Sequence, residues 1–172
     1  MHRMTVGSAV VSSLLLAAVM TFGDFLWAAL DLRHRVWYGI AHGALMCLCI
    51  GLAVGIRAGR PAPGAIVGPL VGVIAAAAFY LLAPWLRYGA MLPAWMLFWV
   101  LFAILQQRLR RHESLASAAL RGSIAAGLSG IAFYAVSGIW TRPSPSGPDY
   151  LVHFGSWGFA FLPGFLSLFW RR

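Results

Sequence analysis

The sequence predicts an all-α fold: a polytopic transmembrane bundle of six spanning helices, forming a single integral membrane domain over residues 1–172. Three observations predict it. Hydrophobic residues make up 61% of the chain and charged residues 10%, with a mean hydropathy of +0.81, whereas a soluble domain is roughly half apolar and about a quarter charged. Four acidic and thirteen basic residues cannot supply the polar coat of a soluble fold. The apolar residues also fall into runs of spanning length without two-residue alternation, and lipid admits only helices or closed barrels because backbone groups must be satisfied internally.

The first run, 6–30, follows Met1-His2-Arg3 as the apolar part of a signal peptide would. It is longer than such a region and long enough to span, so it reads as a retained first helix. Asp31-Leu32-Arg33-His34-Arg35 closes it in a charged turn beside Trp37 and Tyr38. The second run, 37–55, gives way to Arg57 to Pro63, and the third, 64–85, to Arg87-Tyr88. The fourth, 89–106, ends before Arg108 to Glu113, the fifth, 115–140, before Thr141 to Asp149, and the sixth is 151–170. No break between runs is long enough to hold a soluble domain.

All thirteen basic residues are Arg. They cluster between apolar runs, the pattern of a topology signal and not of a nucleic-acid-binding face. Eight of them (Arg3, Arg57, Arg60, Arg108, Arg110, Arg111, Arg171, Arg172) fall on the side of the termini and four (Arg33, Arg35, Arg87, Arg142) on the other. The positive-inside rule then predicts both termini in the cytoplasm. Arg without Lys, beside abundant Ala and Gly, points to a GC-rich bacterial genome, and the expected location is then a bacterial inner membrane.

Small residues recur four apart at Gly39/Gly43, Gly51/Gly55, Gly64/Gly68/Gly72, Ala118/Gly122 and Ala126/Gly130. Such ridges let helices approach closely, within the chain or between chains, so they are candidate contacts for a homo-oligomer or a membrane-complex partner. Pro69, Pro84, Pro93 and Pro163 fall within or near the ends of spans, where kinks are tolerated. The run Leu32-Arg33-His34 to Arg60-Pro61-Ala62-Pro63 parallels Arg110-Arg111-His112 to Arg142-Pro143-Ser144-Pro145. Three spans per copy would make two inverted three-helix repeats, a transporter architecture.

Ionisable groups inside spans are costly and are functional candidates by default. Asp24, His42 and His153 fall at one depth near the expected outer leaflet, with Tyr80, Tyr134, Ser137 and Ser156. Asp24, His42, His153 and Tyr134 are therefore the candidate substrate-binding residues. Arg121, close to the inner end of the fifth span, is expected to snorkel to the headgroups. Two imidazoles and a carboxylate make His42, His153 and Asp24 the candidate ligands should a metal bind, and the two imidazoles could instead ligate a haem. His42 also shares a helical face with Met46 and Cys49, an N/S/S stripe suited to a soft ion. No cofactor is required by any motif. Cys47 and Cys49, two apart on a helix, point away from each other and form neither a disulfide nor a chelating pair.

Two short segments resemble known families. Gly127-Leu128-Ser129-Gly130 resembles the GxSG pattern of rhomboid intramembrane proteases. Ser129 and His153, however, differ in depth by about 10 Å at 1.5 Å per residue, which favours helix packing as the use of this segment. Asp149-Tyr150-Leu151-Val152-His153-Phe154 is similar to the Asp-Lys-x-x-His-Phe start of a span in VanZ-like membrane proteins, with Tyr in place of the Lys. Asp149 after Pro148 also reads as an N-cap of the sixth helix, and no activity is carried over. Trp27, Trp37, Trp85, Trp140 and Trp170 near span ends fit an interfacial aromatic belt, while Trp95, Trp99 and Trp157 lie deeper.

The functional expectation is a membrane protein that binds or transports a small or lipophilic molecule. An intramembrane enzyme or a metal- or haem-binding redox protein using Asp24, His42 and His153 is the second reading, and a structural subunit of a larger membrane complex the third.

Overall fold

The computed structural model describes residues 6–31, 36–111, 113–136 and 146–169. They form α1 (Val6–Ala29), α2 (Val36–Arg57), α3 (Pro61–Leu86), α4 (Met91–Arg110), α5 (Leu115–Val136) and α6 (Gly147–Phe169), with a 3-10 turn at Arg87–Ala90. Within these residues there is no strand, and six helices are long and apolar enough to cross a membrane. Their outer faces carry side chains such as Leu15, Leu81, Ile131 and Leu151, each more than 60% exposed, a surface that lipid solvates and water does not.

Helix ends follow capping chemistry more closely than they follow hydropathy. The expected runs stop at residues 55 and 106, yet α2 continues to Arg57 and α4 to Arg110, because a polar residue at a membrane surface does not break a helix. What stops α2 is a glycine-centred cap. Gly59, at φ +69°, lets Arg60 N–H donate to Gly55 O at 2.8 Å and Gly59 N–H to Ile56 O at 3.1 Å, the Schellman pattern. Pro61 then starts α3, where its missing N–H costs nothing. Ser114 caps α5, its Oγ accepting Ser117 N–H at 3.1 Å. At α6 the cap is Ser146 and not Asp149. Asp149 lies at the third helical position and reaches back, its Oδ2 accepting Ser146 N–H and Oγ–H, both at 2.8 Å, as in a capping box.

In order of contact the helices run α2, α3, α4, α5, α6, α1 around the bundle. The tightest pair is α2 with α3, and the glycine ridges explain it. Gly51 and Gly55 face Gly64, Gly68 faces Cys47, and Gly72 faces Gly43, backbone against backbone. Gly122 likewise packs on Val100 and Trp99 of α4. The ridges considered as surfaces for other chains are thus consumed inside this one. In lipid no hydrophobic force drives helices together, so close packing and dispersion must hold them.

A stack of aromatic rings fills the space between α4 and α6. Trp95, Phe98, Trp99 and Phe102 on α4 face Trp157, Phe161 and Phe165 on α6, all nearly or fully buried. Trp157 and Phe161 stack at 5.1 Å between centroids, and Trp95 stacks on both, at 5.9 and 6.0 Å. Gly164 gives room for the Trp99 ring. Ser129 belongs to this packing: it accepts Trp99 Nε1–H at 3.1 Å and donates to Ala160 O. The GxSG segment therefore serves helix packing. Arg121 does not snorkel freely either. It pairs with Glu113 and donates to Ser167 O, tying α5 to α6.

The neighbour relations in the two halves differ. α4 lies along α5, whereas α1 approaches α2 only over a few residues. Two inverted copies would pack both pairs alike, so the packing does not carry the repeat suggested by the sequence.

Candidate functional site

Of the sequence-predicted residues, Asp24, His42 and His153 are brought together from three helices. Asp24 lies near the C-terminal end of α1, His42 near the N-terminal end of α2, and His153 in the second turn of α6. All three therefore fall at the same end of the bundle, and the pairing of α1 with α6 sets the first contact. His153 Nε2 lies 2.7 Å from Asp24 Oδ2. Trp157, one turn along α6 from His153, donates Nε1–H to the same oxygen at 3.0 Å, and this nitrogen is also 3.0 Å from His153 Nε2. Two nitrogens cannot both hand their proton to each other and to the oxygen. The arrangement that satisfies all three atoms has both N–H groups donating to the carboxylate, which fixes the His153 proton on Nε2.

Asp24 is 5% exposed and His153 is fully buried. A carboxylate at such a position survives only with donors aimed at it, and α6 supplies two. The other oxygen, Oδ1, faces His42, whose Nδ1 is 3.8 Å away, too far for a hydrogen bond. The His42 ring sits edge-on to Trp27 at 4.4 Å and tilted over Trp157 at 6.2 Å. Gly23 makes room for it, since a Cβ there would lie 3.3 Å from His42 Nδ1. The imidazoles thus flank one carboxylate, one at each oxygen, and do not face one another.

A cavity of about 280 Å³ opens beside this group, between α1, α2, α3, α4 and α6. Asp24 and His42 reach it; His153 stands behind Asp24 and does not. The remaining walls are the rings of Trp27, Phe79, Tyr80, Trp95, Phe98 and Trp157, with Met46, Met91 and a floor of Gly and Ala. Gly39 admits the Tyr80 hydroxyl against α2, where any Cβ would collide with it. The cavity is apolar with few convergent polar groups, the usual character of a small-molecule site, at the small end of the range.

The rest of the expected polar layer divides. Tyr80 lines the cavity. Ser156 donates to Val152 O at 2.8 Å within its own helix and takes no part. Ser137 and the side chain of Tyr134 lie outside the described residues. Trp37 and Trp85, both 78% exposed, suit an interfacial belt, but Trp27 turns inward to the cavity. Of the proposed soft-ion stripe, His42 and Met46 reach the cavity and Cys49 does not. Among the described residues no group of three His, Cys, Asp or Glu side chains is arranged to hold a metal ion. Sequence reasoning placed Trp157 only as a deep aromatic, although its position one turn after His153 puts both on one helical face. Gly23 and Gly39 left no such signal, because their use depends on which side chains face them.

Comparison with family models, with curated proteins and with solved structures finds no match to this chain.

Proposed function

We propose that the cavity binds a small organic cation, a protonated amine with a largely apolar body, as part of its passage across a bacterial inner membrane. The single observation that carries this reading is Asp24, the one carboxylate among the described lining residues, in a cavity whose walls include six aromatic rings. A carboxylate supplies the charge-assisted hydrogen bond to an ammonium. Aromatic faces attract the same charge and accommodate the apolar remainder.

Oδ2 of Asp24 already accepts from His153 and Trp157, so an ammonium in the cavity meets the carboxylate at Oδ1, beside His42.

The enzyme reading has weaker support. His153, the imidazole oriented by Asp24, lies behind the carboxylate and cannot reach a molecule in the cavity without rearrangement. Among the described residues the lining contains no Ser, Thr, Cys or Lys, which leaves Asp24, His42 and Tyr80 as the groups that could act on a bound molecule. The subunit reading loses its main argument, because the glycine ridges are packed within the chain.

The test is a titration of the purified protein, followed by the fluorescence of the cavity tryptophans, with benzylammonium and with the neutral benzyl alcohol of nearly the same shape. The cation is expected to bind at least about tenfold more tightly, a difference of about 1.4 kcal/mol. Equal affinities would remove the carboxylate from the recognition and with it the proposal.

A further inference from the structure

At the opposite end of the bundle a second, larger cavity of about 1340 Å³ lies among the ends of α2 and α4 and the length of α5 and α6. Its chemistry changes along its length. At the bundle end it is lined by Arg57, Arg110 and Arg121, with Glu113 as the carboxylate among them. From there it continues between α5 and α6 over apolar side chains as far as Ala132 and Phe159.

The three guanidiniums are held in place by the fold. Arg110 Nη2 donates to Arg57 O at 2.7 Å, joining the ends of α4 and α2. The Arg57 guanidinium lies 4.1 Å from the centroid of Phe169, a cation–π contact. Arg121 is anchored by Glu113 and by Ser167 O. Three positive groups against one negative leave the lining with a net positive charge. Gln106, one turn before Arg110 on the same face of α4, also lines this cavity. It is 4% exposed; its Nε2 donates to Leu168 O, while among the described residues its Oε1 is buried without a donor. A buried amide oxygen in that position is costly unless something supplies an O–H or N–H.

We infer that this cavity is a binding site for one anionic phospholipid, the phosphodiester held by Arg57, Arg110 and Arg121, an acyl chain along the α5–α6 corridor, and a headgroup hydroxyl donating to Gln106 Oε1. Dimensions agree with this occupant. From Arg121 to Ala132 the helix rises about 16 Å at 1.5 Å per residue, close to the roughly 15 Å of a single leaflet's hydrocarbon. Arg57 and Arg110 are the last residues of their helices, the level at which headgroups lie. A soluble phosphate would satisfy the guanidiniums and leave the corridor unused; a zwitterionic lipid would fill the corridor and bring no net charge for the arginines. The positive-inside count assigns this end to the cytoplasmic leaflet, and basic pockets between helices on that side recognise anionic headgroups.

The experiment is native mass spectrometry of the full-length, delipidated protein titrated with palmitoyl-oleoyl phosphatidylglycerol, with the corresponding phosphatidylcholine, and with inorganic phosphate as competitor. Phosphatidylglycerol is expected to bind about tenfold or more tightly than phosphatidylcholine, to lose much of that preference at high salt, and to resist displacement by millimolar phosphate. The double variant Arg57→Gln/Arg110→Gln is expected to bring the two lipids within about twofold of each other. Equal binding of both lipids by the unmodified protein overturns the inference, whether or not the variant folds. Retention of the full preference in a folded double variant also overturns it. Displacement by phosphate alone shows an adventitious anion site with no lipid in the corridor, and overturns it as well.

Discussion

Replacing Gly68 with Ala is expected to loosen or separate α2 and α3, the tightest pair in the bundle. A Cβ at Gly68 collides with the carbonyl oxygen of Cys47 and lies 3.1 Å from both Cys47 C and Leu48 Cα. These are backbone atoms of a helix and cannot rotate aside, so the whole helix must shift. Overpacking of this kind costs about 1–3 kcal/mol, and the upper end is expected here. That corresponds to about 10 °C in Tm for a chain of this length. Gly64→Ala meets the backbone of Gly51 and Gly55 in the same way and is expected to behave alike. Gly127→Ala and Gly155→Ala provide the contrast, since a Cβ at either position meets nothing within 4 Å. Removing glycine from those helix interiors is expected to be neutral or to stabilise by up to about 1 kcal/mol. Thermal unfolding of the four variants in one detergent checks the pattern, and a uniform response would mean that the ridge does not hold the pair.

The second large effect concerns Asp24. Asp24→Asn keeps the shape and one acceptor oxygen for Trp157 Nε1–H, but removes the charge. Benzylammonium affinity is expected to fall about 100-fold, roughly 2.7 kcal/mol, while benzyl alcohol affinity changes little. Asp24→Leu differs in kind. It removes the oxygen that accepts from both Trp157 and His153, and losing a buried acceptor of this kind costs about 1–3 kcal/mol, so this variant is expected to be clearly less stable than Asp24→Asn. Comparing the thermal unfolding of the two variants with their titrations separates the carboxylate's contribution to the fold from its contribution to recognition. Loss of stability without loss of cation binding in Asp24→Asn would make Asp24 a structural residue only.

Sequence periodicity and loop charge were sufficient for six helices, because lipid makes helix formation nearly obligatory for runs of about twenty apolar residues. The same reasoning isolated Asp24, His42 and His153, since a charge inside a span has so few tolerable explanations. Which groups touch was a different matter. Equal depth holds for many residues on six helices, and contact depends on rotation about each axis, which is set by packing. The Asp24–His153 contact follows from the pairing of α1 with α6, two helices far apart in the chain. The rotation of α6 is set in turn by aromatic stacking against α4, which period analysis reads only as hydrophobic. Arg121 shows the same gap from the other side: its depth suggested a snorkelling side chain, but its neighbours Glu113 and Ser167 made it a tie between α5 and α6. Helix ends were misjudged where caps decided them, as with Ser146 and Asp149, since hydropathy does not register a hydrogen bond back to a backbone N–H.

The proposed recognition rests on one carboxylate set among aromatic rings, and the ratio of benzylammonium to benzyl alcohol affinity, measured in the unmodified protein and in Asp24→Asn, tests it most directly. The groups that face the cavity's charge are Asp24 on α1, His42 on α2, Tyr80 on α3 and, behind the carboxylate, His153 on α6. The unmodified protein is expected to prefer the cation by about tenfold or more, and Asp24→Asn to lose that preference while still binding the alcohol. The same preference in both proteins, or none in the unmodified protein, would contradict the account.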